Sequence, residues 1–121
     1  MRRKPSLPEP PVVLAQWERF LGWLLQRTEK FPKRVAFTFR TRIDNLALDV
    51  FERLVEARYQ RQRSELLRRI NLDLEKLRLL LRLAHEQGVL DPRALLHACQ
   101  ELDQAGRMVG GWQRQTESVT P

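Results

Sequence analysis

SELLRRINLDLEKLRLLLRLAHEQG, residues 64–88, is the stretch that decides the fold. Leu67, Ile70, Leu74, Leu77, Leu81 and Ala84 recur at alternating steps of three and four residues. That spacing lays them along one side of a helix as a bundle seam. A strand would need apolar residues at every second position, and alternating Val/Ile/Thr runs are absent from the chain. Gly88 follows the last seam residue, where a glycine ends a helix without a Cβ penalty. Ser64 stands at the other end as the expected N-cap.

Working outward, Asp91 and Pro92 mark the start of a fourth helix, the first as N-cap and the second at the first helical position. Its expected stripe is Leu95, Cys99, Leu102, Gly106, Val109 and Trp112. Before the central helix, Phe39, Ile43, Leu46, Val50, Leu54 and Ala57 form the seam of a helix that starts near Arg34 to Ala36 and reaches about Arg58. No Gly or Pro lies between Arg58 and Arg63, yet one helix across both segments would be improbably long for a compact domain, so a turn is placed there. A first helix spans about Val12 to Lys30, with Val13, Trp17, Phe20, Leu24 and Thr28 as its stripe, and Phe31-Pro32 stops it. The fold class is all-α, an antiparallel up-and-down four-helix bundle over residues 12–115, since short connections force neighbours antiparallel. Residues 1–11 hold four of the seven prolines and read as a disordered, basic arm; 116–121 read as a disordered tail.

The rest of the composition removes function classes. With 121 residues and 42% apolar side chains, the chain suits one domain with one core. No apolar run approaches the ~20 residues of a membrane span, and no apolar stretch of signal-peptide type follows the basic N-terminus, so a cytoplasmic location without membrane contact is expected. One cysteine, Cys99, forms no internal disulfide and reads as a small buried hydrophobe. His85 and His97 fall on different helices, neither has a Glu three residues before it, and no metal-ligand spacing exists. There is no phosphate loop and no Ser/His/Asp signature; carboxylates such as Asp44 and Asp73 read as solvated faces. Neither catalysis nor a cofactor or metal has support in the sequence.

Charge and surplus leucine point instead to binding. Residues 1–70 carry 16 basic and 8 acidic side chains, net +8, while residues 71–121 carry 6 and 7, net −1. A field so localised suits a polyanion or an acidic protein surface. Arginine supplies 18 of the 22 basic residues, and its planar fork binds phosphate bidentately, although the preference for it over lysine is also what a biased genome would produce. Lys33 and Arg34, and the cluster Arg58, Arg61, Arg63, Arg68 and Arg69, belong to that basic region. Leu72, Leu79 and Leu83 lie away from the central seam, which predicts burial against another subunit, a wide core stripe being the alternative. Arg78 and Arg82, one turn apart on the sector shared by Asn71 and Glu75, either pair with acids inside the bundle or line a cationic surface; the sequence leaves both open. Gly106, Gly110 and Gly111 suggest a close helix–helix approach beside Trp112, or fraying of the last turn.

Four segments carry a family likeness: Phe31-Pro32-Lys33, the Phe39/Ile43/Leu46 start of the second helix, Leu77-Arg78 with Leu81-Arg82, and Gly106-Arg107-Met108-Val109-Gly110-Gly111-Trp112. Through them the chain resembles the accessory variability determinant (Avd) proteins of diversity-generating retroelements over about residues 12–115. The last segment is the most specific. The Phe-Pro-Lys turn is equally similar to the four-helix proteins encoded in intervening sequences of large-subunit ribosomal RNA genes, which would make the chain an RNA or protein interaction module. The Avd resemblance implies a non-catalytic, ring-like homo-oligomer, a pentamer. It implies binding to a reverse transcriptase and its template RNA, in support of adenine-mutagenised cDNA synthesis. Arg78 and Arg82 match the basic positions of the third helix implicated in those contacts, and Arg107 matches within the last segment. The long Pro-rich arm and the missing glycine between the second and third helices depart from the family pattern.

Overall fold

Heptad-like apolar stripes have nowhere to hide on isolated helices, and here four of them close on one another. The computed structural model describes residues 11–119, which form α1 (Pro11–Thr28), a 3-10 turn (Lys33–Val35), a π-helical turn (Ala36–Arg40), α2 (Thr41–Tyr59), α3 (Ser64–Glu86) and α4 (Pro92–Val119). Among the described residues there is no strand. Each helix packs on the next in sequence, and α4 packs back on α1. The direction of neighbours follows from cross-helix bonds. The Trp17 indole donates to the Ala47 carbonyl at 3.0 Å, while Thr28, further along α1, donates to Asp44, earlier in α2. Asn71 pairs with Gln113 and Arg78 with Asp103, so α3 and α4 also run in opposite directions. The fold is the expected all-α four-helix bundle.

The α3 seam is buried as read: Leu67, Ile70, Leu74, Leu77, Leu81 and Ala84 are all in the core. So are Val13, Trp17, Phe20, Leu24 and Thr28 of α1. Burying each such leucine or phenylalanine contributes roughly 1.5–3 kcal/mol. In α2 the core side is Ile43, Ala47, Val50, Leu54 and Ala57; Phe39 and Leu46 are only half-buried against it. In α4 the expected stripe holds at Leu102, Val109 and Trp112 and is displaced by one residue at the other three positions. Ala94, Ala98, Leu102, Ala105, Val109 and Trp112 are buried, and Leu95, Cys99 and Gly106 are half-buried. At the displaced positions the buried residue is the alanine one place earlier: Ala94, Ala98 and Ala105. Cys99 is therefore not a core hydrophobe.

The helix ends follow local chemistry. Asp91 accepts the Ala94 N–H at 2.8 Å, as an N-cap does, and Pro92 opens α4. Gly88 adopts φ +79, and the Gly88 and Val89 N–H groups return to the His85 and Ala84 carbonyls, the glycine-terminated helix end that satisfies otherwise orphaned carbonyls. Ser64 does not cap α3: it is the first helical residue, Arg63 holds the cap position, and no side chain bonds there. The break between α2 and α3 falls at residues 60–63, inside the stretch without glycine, and needs no positive φ. Helix α4 continues through Val119, so the tail expected from 116 is helical to 119. Of the arm expected over residues 1–11, only Pro11 lies within the described residues, and it opens α1.

Two carboxylates expected in solvent are structural. Asp73 is 1% exposed; it pairs with Arg53 of α2 and, at 3.8 Å, with Arg69 one turn back. Asp44 accepts the Thr28 hydroxyl at 2.6 Å and sits 3.8 Å from Arg40, fastening α2 to the end of α1. A buried carboxylate persists only when paired and hydrogen-bonded.

Candidate partner-binding surface

Helix α3 is packed on two neighbours, so two strips of its surface border grooves, and they differ in chemistry. On the α4 side run Asn71, Glu75, Arg78 and Arg82 at steps of four, three and four. A groove of about 340 Å³ opens there, lined by Asn71, Glu75, Arg78, Asp103, Gly106 and Arg107 above Leu74 and Leu102. Arg78 is held from both sides: it donates to Asp103 at 2.6 Å and approaches Glu75 at 3.5 Å. Partial burial lowers the Arg78 pKa, but the bond and charge of Asp103, with Cys99 and Glu75 adding, outweigh it, and the net direction is up. Arg78 is thus a clamp between α3 and α4. Arg82, one turn on, is exposed and makes no ion pair within the described residues. The two arginines that the sequence presents as equivalent have separate environments.

The glycines do not permit close helix contact. A Cβ on Gly106 would meet nothing within 4 Å, and at Gly110 and Gly111 it would meet only the Arg114 side chain. Gly106 instead leaves the floor of the α3–α4 groove open. Arg107 beside it is exposed and donates to Gln104 of its own helix at 2.9 Å.

The other side of α3 is apolar. Leu72, Leu79 and Leu83 are 52, 50 and 44% exposed. Leu79, Leu80 and Leu83 face Leu46 across a groove of about 570 Å³ between α2 and α3, with Arg42, Asp49 and Lys76 at its rim. The core stripe is not simply wide, since these leucines are left half in water. The three leucines form an exposed apolar strip on this side of α3.

The remaining cations are not brought together. Lys33 and Arg34 are exposed at the corner between α1 and α2, whereas Arg58, Arg61 and Arg63 lie at the far end of α2, about 28 Å away at 1.5 Å per residue. Arg68 is paired with Glu65 at 2.7 Å and Arg69 reaches Asp73. The Arg63 guanidinium covers the Trp112 ring at 5.0 Å, and burial lowers its pKa. Arg58 stacks on Tyr59 at 5.7 Å, with its Nε buried and unpartnered. Of this cluster, Arg61 is the exposed residue without an ion pair among the described residues. Three participants escaped sequence reading: Asp103, Arg53 and the exposed Phe37. The signal for the Asp73–Arg53 pair was an acid three residues after Ile70 and four before Leu77, hence on the core side of its helix.

No three of His, Cys, Asp and Glu gather at metal-binding distance within the described residues. His97 meets the Trp23 ring edge-on at 4.6 Å, and His85 bonds the Leu90 carbonyl at 2.8 Å. No described helix is long and apolar enough to cross a membrane. A family model described as bAvd-like matches residues 11–116, nearly the whole bundle. No curated protein and no solved structure matches the chain.

Proposed function

The chain belongs to the bAvd-like family, and on that premise we propose that it is a non-catalytic accessory subunit of a diversity-generating retroelement. In this reading it self-associates through the leucines of α3 into a ring, a pentamer by family likeness. The ring binds the reverse transcriptase and its template RNA and supports mutagenic cDNA synthesis. The observation that carries the reading is the division of α3 into an apolar strip and a polar strip, both accessible beside a fully formed core. A monomer gains nothing from Leu72, Leu79 and Leu83 in water, while a ring covers them and repeats Arg82 and Arg107 once per subunit. Weak contacts repeated around a ring add by avidity. Arg78 positions the strip by joining α3 to α4, and Arg82 is its contact residue.

The test is whether a reverse transcriptase gene lies beside this one and whether its product co-purifies with this protein, together with RNA affinity across a salt series. Phosphate-dominated binding weakens steeply with salt, because each neutralised phosphate releases counterion. Loss of polymerase capture in Arg82→Glu, with the bundle still folded, supports the reading. A wild-type protein that binds RNA but captures no polymerase returns it to the ribosomal intervening-sequence type of interaction module. Salt-independent RNA affinity removes the electrostatic premise.

A further inference from the structure

The corner between α1 and α2 holds a side chain that the core and the α3 grooves do not use. Phe37 is 91% exposed, the most exposed large apolar residue of the described chain. It rides on the π-helical turn Ala36–Arg40, in which the Thr41 N–H reaches back to the Ala36 carbonyl. Such turns insert an extra residue and are frequent at functional sites. The turn is built firmly: the Thr41 hydroxyl donates to the Ala36 carbonyl at 3.0 Å and the Thr38 hydroxyl to the Val35 carbonyl at 3.3 Å. Phe31 and Val35 are buried and Phe39 packs against the core, so Phe37 is the one large apolar side chain of this corner left exposed. Tyr59, also exposed, has its ring covered by Arg58; within the described residues no ring or cation covers Phe37.

The surroundings of that ring are cationic. Residues 30–43 contain Lys30, Lys33, Arg34, Arg40 and Arg42 and no acid. Lys30, Lys33, Arg34 and Arg42 are exposed. Of the two carboxylates that flank this stretch, Asp44 is engaged by Thr28 and Arg40, and Glu29 is exposed next to Lys30. An uncovered aromatic face with exposed cations three and four residues before it has the chemistry that binds single-stranded nucleic acid: the cations hold the phosphates and the ring stacks an unpaired base. A duplex keeps its bases stacked on each other and offers this ring nothing. A protein partner with an apolar pocket would bury the phenyl but leave the neighbouring ammonium and guanidinium groups to be desolvated.

We propose that Phe37, with Lys33 and Arg34, forms a stacking site for single-stranded RNA or DNA at the α1–α2 corner, distinct from the α3 strip. The site rests on the nucleic-acid half of the function proposed above. The experiment is fluorescence anisotropy with a short labelled single-stranded RNA, the same sequence as DNA, and the RNA duplex, on wild type, Phe37→Ala and Phe37→Tyr. Phe37→Ala lowers single-strand affinity roughly 5- to 150-fold, the range for losing one base–aromatic stack, and leaves duplex affinity unchanged. Phe37→Tyr, which keeps the ring, stays close to wild type. A loss on RNA alone or on DNA alone assigns the strand. Circular dichroism of Phe37→Ala matches wild type, because the side chain packs on nothing. Unchanged single-strand affinity in Phe37→Ala overturns the site, as does an equal loss on single strand and duplex. A changed oligomeric mass in that variant makes Phe37 a subunit contact instead. A wild type that binds neither strand nor duplex defeats the nucleic-acid reading itself, and this site with it.

Discussion

Removing either partner of the Arg53–Asp73 pair should destabilise the bundle, and by unequal amounts. Asp73 is 1% exposed, and its side chain accepts from Arg53 across the α2–α3 interface and lies 3.8 Å from Arg69. The Arg53 side chain is 25% exposed. In Arg53→Met the aliphatic stem is kept, but the Asp73 carboxylate is stranded beside an Arg69 that is half in water. That is the penalised case of an uncompensated buried charge, about 3–5 kcal/mol. In Asp73→Ala the guanidinium left behind can swing toward solvent, so the loss is smaller, about 2–3 kcal/mol. The double variant should fall short of the sum of the singles by about 1–3 kcal/mol, since the second removal takes away a group that the first has already stranded. The assay is urea unfolding followed by circular dichroism at one fixed protomer concentration, because association adds to apparent stability. Strict additivity, or a larger loss in Asp73→Ala than in Arg53→Met, would refute the claim that the buried carboxylate is the costly partner.

Other expected outcomes follow from the same geometry. The Leu79→Glu, Leu83→Glu double variant should keep its helices and lose oligomeric mass by light scattering; a monomeric wild type, or a variant of unchanged mass, would remove the apolar strip as an interface. Arg78→Glu should lose about 1 kcal/mol of stability, because it sets a third carboxylate beside Asp103 and Glu75 on a partly solvated surface. Arg82→Glu should leave the melting temperature unchanged while weakening RNA or polymerase binding; equal melting losses in the two would abolish the distinction drawn between them. Gly106→Ala should stabilise the chain by roughly 1 kcal/mol, since the Cβ meets nothing and alanine favours the helix. Gly88→Ala should destabilise it by about 1 kcal/mol, because its φ of +79 strains any side chain. Thermal melts of this glycine pair that move in the same direction would contradict the assignment.

The sequence by itself determined the number of helices, their order and the core faces of α1 and α3, because these depend on periodicity and on local stop signals. Leu67 to Ala84 is legible on its own: every seam residue is large and apolar, and nothing competes for the face. Asp91-Pro92 and Gly88 are likewise local, since a cap or a left-handed residue acts on its own backbone. Leu72, Leu79 and Leu83 were legible as surplus for the same reason. What lay beyond the sequence depended on which neighbour a side chain meets. The core face of α4 runs through Ala94, Ala98 and Ala105 as well as Leu102, Val109 and Trp112, so Leu95 and Cys99, though more apolar, fall beside it. Asp73 becomes a buried ion only because Arg53 of another helix stands opposite. Arg78 and Arg82 share one sequence environment and are separated by Asp103, which lies 25 residues from Arg78. The π-helical turn that lifts Phe37 out of the corner has no periodic signal, because one inserted residue disturbs the pattern without replacing it. Only the tertiary structure decided these points: pairing and desolvation act through space, and the helices that supply the partners meet only once the bundle has closed.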